Sequence, residues 1–216
     1  MPTAANLEFI SRSTTDQPPT AAIIWLHGLG ADCYDFEQIV PALNLPPHLH
    51  CRFIFPNAPL RPITINSGLQ CRAWYDIYSL SSNKKEDETG IITSQQHIET
   101  LIQLQLEEGI SASNIILAGF SQGGAMALYT GLQYPAVLGG ILALSCYLPL
   151  ATSLLATAPA ANQSIPILQC HGEFDEVISL QVAQQSAQLL EQHHFNLQFQ
   201  SYPIGHQVSP SEIQHI

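Results

Sequence analysis

Short apolar runs alternate along the chain with longer segments of helical period. Residues 7–10, 21–26, 52–56, 114–120, 139–144, 165–170 and 196–202 are β-type runs. Several are apolar throughout, as strands covered on both faces are. Between them, residues 94–108 place Ile98, Leu101, Ile102 and Leu106 on one helical face and stop at Gly109, and residues 179–194 do the same with Val182, Ser186, Leu189 and Leu190. Residues 122–133 are small or apolar almost all round, which predicts a buried helix pressed against a sheet. This alternation predicts an α/β fold, a mostly parallel central sheet with helices on both faces, in one domain over residues 1–216. Residues 56–88 and 149–164 show no period and read as long loops or short irregular helices, and long loops in compact domains often carry function.

Composition narrows the class. With 46% hydrophobic and only 11% charged residues, the chain can bury a sizeable core and is not a disordered segment. Six basic against seventeen acidic residues give a net charge of −11, which repels nucleic acid and anionic lipid alike. Lys84 and Lys85 run into Glu86-Asp87-Glu88 and read as a solvated loop, not a binding patch. Five scattered cysteines (Cys33, Cys51, Cys71, Cys146, Cys170) without a CxxC pair fit reduced thiols in the cytoplasm. Residues 1–6 show no secretion signal, and no apolar run is long enough to span a bilayer.

The chemistry centres on Gly119-Phe120-Ser121-Gln122-Gly123, which follows an apolar strand and opens a helix. A strand, a G-x-S-x-G turn and a helix make up the nucleophile elbow of the α/β-hydrolase fold, in which small neighbours relieve the crowding around an exposed serine. The same turn also occurs as a plain structural joint or phosphate cradle. A serine hydroxyl needs a base, itself held by a carboxylate, and this fold supplies them in the order Ser, Asp or Glu, His. Asp175 is the sole Asp after Ser121 and lies just past a strand end, where open α/β sheets place their chemistry. Glu173 and Glu176 are the fallback carboxylates, while Glu191 sits in a helix. His206 follows the last strand and the turn Pro203-Ile204-Gly205; His193 and His194 end a helix, and His215 is nearly terminal.

Hydrolysis of an ester also needs backbone donors for the oxyanion. One is the N–H after the nucleophile, at Gln122; the other belongs in the turn after an early strand, and His27-Gly28-Leu29-Gly30 places it at Leu29. His27 is expected to order that loop and not to move protons. No metal or cofactor is expected, because His48-x-His50 and His193-His194 lack neighbouring ligands of metal-site type. The alternative from another class is a noncatalytic ligand- or partner-binding member of the same fold.

Several segments together resemble the phospholipase/carboxylesterase family, which includes acyl-protein thioesterases. They are residues 25–32 (Trp-Leu-His-Gly-Leu-Gly-Ala-Asp), 55–59 (Phe-Pro-Asn-Ala-Pro), 72–76 (Arg-Ala-Trp-Tyr-Asp), 119–124, His171-Gly172 with Asp175, and Gly205-His206. The resemblance implies hydrolysis of carboxylic esters, acyl thioesters or lysophospholipids, with an acylated protein among the substrates. It also implies an acyl pocket helped by Trp74, with Ile63, Ile65 and Leu69 as flap residues. The chain departs from the family pattern at Gln207, where many relatives carry a small residue, and at its end. Ser209-Pro210-Ser211-Glu212 reads as a capped helix start with few residues to follow, which predicts exposed apolar surface, pairing into a homodimer, or a chain cut short.

Overall fold

Side-chain alternation along the strands sorts this protein's apolar residues onto two sheet faces. In the computed structural model, which describes residues 7–79 and 85–216, a seven-stranded sheet has the order β1-β3-β2-β6-β7-β8-β9. The strands are β1 (Phe9–Ser13), β2 (Ala21–Leu26), β3 (Cys51–Pro56), β6 (Ile115–Phe120), β7 (Gly140–Leu144), β8 (Ile167–Gly172) and β9 (Leu197–Tyr202). All pairs are parallel except β1 with β3. A separate hairpin pairs β4 (Leu60–Ile63) with β5 (Leu69–Arg72).

On one face, Ala22, Ile24 and Leu26 of β2, Ile54 of β3 and Ile115 and Leu117 of β6 pack with the helices. These are α1 (Glu88–Glu107), α2 (Gln122–Gln133), α3 (Ala151–Thr157) and α4 (Leu180–Gln192), which contribute Ile98, Ile102, Met126, Leu128, Leu154 and Leu190. The intervening residues, Trp25, Phe53, Phe55 and Ala118, form a second cluster on the other face. Its cover is slighter: a 3₁₀ segment over Glu37–Leu43 and the four-residue α5 (Pro210–Ile213), with Ile39, Ile213 and Ile216 packed against it.

The strand and helix expectations agree with the structure to within a few residues, with three informative differences. Helix α1 begins at Glu88, six positions earlier than its apolar period suggests, because Asp87 caps it by accepting from the Gly90 N–H at 3.0 Å. The stretch 56–88 is no featureless loop, since it holds the β4–β5 hairpin; residues 80–84, including Lys84, lie outside the described residues, as do residues 1–6. Strand β8 runs on to Gly172, past the end of the apolar run at residue 170, so His171 belongs to the strand. The stretch 149–164 is two short helical pieces, α3 and a 3₁₀ turn over Ala160–Ser164. Ser209 and Glu212 make the reciprocal capping box expected of them.

Candidate active site

The strand order sets the place of the site. Strand β2 has β3 on one side and β6 on the other, so the chain leaves β2 and β6 in opposite directions and opens a crevice at their carboxyl ends. Register pairs Leu26 with Gly119. The turn after β2 and the turn after β6 therefore lie side by side.

Ser121 occupies the second of these turns with φ 55° and ψ −121°, a backbone region that L-residues avoid. The flanking glycines make it feasible. A methyl group on Gly119 would overlap the Gly123 carbonyl, and one on Gly123 would overlap the Leu26 carbonyl oxygen. The missing side chains let α2 start directly against the sheet, and Ser121 stands at its N-terminus.

Asp175 and His206 are brought together by a second close approach. Gly172, at the end of β8, lies so near Gly205 that any side chain there would meet the Ile204 and Gly205 carbonyl oxygens. Backbone bonds from Glu173 N to Tyr202 O (2.7 Å) and from Phe174 N to Ile204 O (2.9 Å) fasten the two turns. Across this junction His206 Nδ1 lies 2.7 Å from Asp175 Oδ2, and His206 Nε2 lies 3.0 Å from Ser121 Oγ. The other oxygen of Asp175 accepts the Val177 and Ile178 N–H groups at 2.9 and 2.8 Å. The Asp175 side chain is fully buried, and the His206 ring leans on Phe120 with centroids 4.8 Å apart. His171 stands behind, with Nε2 2.8 Å from the Ile178 carbonyl and 3.5 Å from Asp175 Oδ2; burial lowers its pKa.

Ser121 and His206 open on a cavity of about 600 Å³, whose lining includes Gly28, Leu29, Ile65, Tyr75, Ile77 and Gln122. Leu29 and Gln122 thus line the same cavity as the serine. The remaining expected residues divide. Ile65 reaches the cavity, whereas Ile63 and Trp74 are fully buried and do not line it. Leu69 is 66% exposed on the hairpin and does not line it either. Trp74 faces inward because its indole N–H donates to the His27 carbonyl oxygen at 2.9 Å, so it braces the cavity wall without meeting what the cavity holds. Of the fallback carboxylates, Glu173 accepts from Ser201 Oγ, and Glu176 borders the cavity without reaching His206.

Side-chain bonds that the sequence pattern did not reveal also shape the site. The Gln122 side chain accepts the Trp74 N–H through Oε1 and donates through Nε2 to the Tyr75 carbonyl, both at 2.8 Å. It thereby ties the cavity wall to the serine turn. Tyr75 and Tyr147 meet hydroxyl to hydroxyl at 3.1 Å on that wall. Among the described residues no group of His, Cys, Asp or Glu is gathered to hold a metal ion, and no helix is long and apolar enough to cross a membrane.

The family model for "Phospholipase/Carboxylesterase" matches residues 8–216. The chain belongs to that family. This phospholipase/carboxylesterase family member is 37% identical to acyl-protein thioesterase 1 of Neurospora crassa, over 91% of this chain and 84% of the relative. It is 40% identical to acyl-protein thioesterase 1 homolog 1 of Dictyostelium discoideum, over 90% of this chain and 86% of the relative. Among solved structures it resembles acyl-protein thioesterase 2 of Zea mays with a TM-score of 0.84 and 30% identity, covering 95% of this chain and 94% of that one. The fold is that of an α/β-hydrolase, and the family is one of serine hydrolases acting on esters and thioesters.

Proposed function

We propose that the protein hydrolyses carboxylic esters and acyl thioesters through an acyl-enzyme intermediate on Ser121, with His206 as general base and acid and Asp175 as its partner. The observation that carries this reading is the unbroken hydrogen-bonded line from Ser121 Oγ through His206 to buried Asp175, at the edge of a cavity large enough for an acyl chain. His206 takes the Ser121 proton as Oγ attacks the acyl carbonyl carbon. The N–H groups of Leu29 and Gln122 hold the resulting oxyanion, and Gln122 sits at a helix N-terminus whose dipole favours negative charge there. His206 then gives the proton to the departing alcohol or thiol. Water, deprotonated by His206, releases the acid and frees Ser121. Asp175 accepts a hydrogen bond from Nδ1–H, fixing the tautomer that leaves Nε2 free to act as base.

The relatives named as acyl-protein thioesterases make an acyl group on a protein thiol the leading substrate, ahead of a simple ester or a lysophospholipid. The decisive experiment compares the protein with Ser121→Ala on p-nitrophenyl esters of graded chain length, an acylated cysteine peptide and a lysophospholipid, and seeks a transient acyl adduct on Ser121 by mass spectrometry. Turnover should vanish in Ser121→Ala, and the peptide thioester should give the highest kcat/KM. Equal turnover in both proteins would refute the mechanism, and preference for the lysophospholipid would refute the substrate ranking.

A further inference from the structure

His27 is 2% exposed, and both its ring nitrogens are engaged. Nδ1 lies 2.7 Å from the carbonyl oxygen of Gly28, and the Ala58 N–H points at Nε2 from 3.0 Å. A carbonyl only accepts and a backbone N–H only donates, so the two partners fix the ring without ambiguity: Nδ1 carries the hydrogen, Nε2 carries the lone pair, and the imidazole is neutral. Burial lowers the pKa in the same sense and nearby Arg72 adds to it, against opposing contributions from the Gly28 bond and Asp32. The ring is held on its flank by Trp74, with centroids 5.5 Å apart.

The Gly28 carbonyl belongs to the same planar peptide as the Leu29 N–H. In a trans peptide the C=O and N–H point in opposite directions, so whatever holds one aims the other. The Gly28 oxygen also accepts the Ala31 N–H at 3.2 Å, and the Gly30 N–H is anchored to the Arg72 carbonyl at 2.8 Å. Among the described residues, no hydrogen bond is made by the Leu29 N–H itself. Its peptide is clamped through its oxygen while its donor stays free.

We propose that His27 is the positioning residue of the oxyanion site: as a neutral Nδ1–H imidazole it holds the Gly28–Leu29 peptide so that the Leu29 N–H is presented to the oxyanion before substrate arrives. This rests on the acyl-transfer reading above. His27 touches no reacting atom and acts only through that peptide.

The two ring bonds can be removed one at a time. In His27→Asn the side-chain NH₂ stands where Nδ1–H stood and can still donate to Gly28, whereas the acceptor for Ala58 is lost. In His27→Gln the side-chain oxygen stands where Nε2 stood and can still accept from Ala58, whereas the donor to Gly28 is lost. Two readouts are compared: kcat on a p-nitrophenyl ester, and affinity for an alkyl trifluoromethyl ketone. Ser121 Oγ adds to the ketone carbonyl carbon, its proton passes to His206, and the carbonyl electron pair becomes an oxyanion resembling that of the reaction. In His27→Gln, kcat and ketone affinity should both fall by about 10²-fold, the cost of one lost oxyanion donor, with KM nearly unmoved. In His27→Asn both should stay within about tenfold of the parent, given that the clamping bond survives. Equal damage in the two variants, or loss of kcat without loss of ketone affinity, overturns the proposal; if His27→Gln does not fold, a large loss in His27→Asn overturns it alone. The tautomer is tested apart from activity. ¹⁵N NMR of the imidazole should show a protonated Nδ1 and a bare Nε2, and the reverse pattern refutes the positioning argument even where turnover is normal. Turnover that persists in Ser121→Ala would instead refute the reading beneath it.

Discussion

Exchanging Asp175 for Asn tests the proton relay with little change of shape. The orientation of the new amide is dictated by its surroundings. The Asp175 oxygen that accepts Val177 N–H and Ile178 N–H must remain an oxygen, which places the NH₂ group 2.7 Å from His206 Nδ1. An NH₂ group cannot accept, so Nδ1 must become the acceptor and the ring proton moves to Nε2. Nε2 then donates to Ser121 Oγ and has no lone pair with which to take its proton. In a Ser-His-Asp site such an exchange lowers kcat by about 10⁴-fold, equivalent to about 5 kcal/mol of transition-state stabilisation. The fold should lose far less, about 1 kcal/mol, the difference between hydrogen bonds to a charged and to a neutral acceptor. Steady-state kinetics on a p-nitrophenyl ester and urea unfolding of the same preparation separate the two effects. A kcat within tenfold of the parent would refute the assigned tautomer and with it the role of Asp175.

Three further outcomes follow from the same geometry. Gln122→Met keeps the backbone N–H but strands the Trp74 N–H and the Tyr75 carbonyl, and should cost about 2 to 4 kcal/mol in urea unfolding; an unchanged midpoint would show that the brace is idle. Glu212 is 1% exposed, and burial pushes its pKa up to about 7. The native state therefore holds a proton that the unfolded chain releases near pH 4.5, so this group's contribution to stability should fall by up to about 3 kcal/mol as pH rises from 4.5 through 7, then level off. Thermal unfolding of the parent and of Glu212→Gln across that range should differ by this slope, the parent losing stability relative to the variant as pH rises. Ile65→Ala should lower kcat/KM for long acyl chains by about fivefold and spare acetate esters, whereas Leu69→Ala, outside the cavity, should change neither.

The legible parts of the fold were those in which local pattern and burial agree. Helix α2 spans the residues its small and apolar run marks, because its residues from Gln122 to Leu132 are all buried. The β4–β5 hairpin was illegible for the opposite reason. Its strands are four residues each, largely exposed, and interrupted by Pro62, so neither period nor hydrophobicity announces them. The start of α1 was masked by Gly90, normally a helix breaker. Here a methyl group would displace the Asp87 carboxylate that caps the helix. Ser121, Asp175 and His206 could be selected because chain order and strand ends restrict the choice. Trp74 was placed at the acyl pocket by the family resemblance alone, and nothing in its neighbours along the chain reveals the His27 carbonyl that turns it inward. The side-chain bonds of His27 and Gln122 likewise join positions 31 and 48 residues apart, beyond the reach of any local motif.

The bond between Ser121 and His206 spans 85 residues. Closing a loop of that length costs about 4 kcal/mol of chain entropy before any contact in the site is made. During synthesis, Ser121 and the turn after β2 emerge well before the last strand delivers His206 to them. A partly made chain can carry a folded serine turn without the base that would activate it. On the proposed mechanism Ser121 is therefore activated only once that long-range closure is made, and recovery of turnover on refolding should mark a late step of folding.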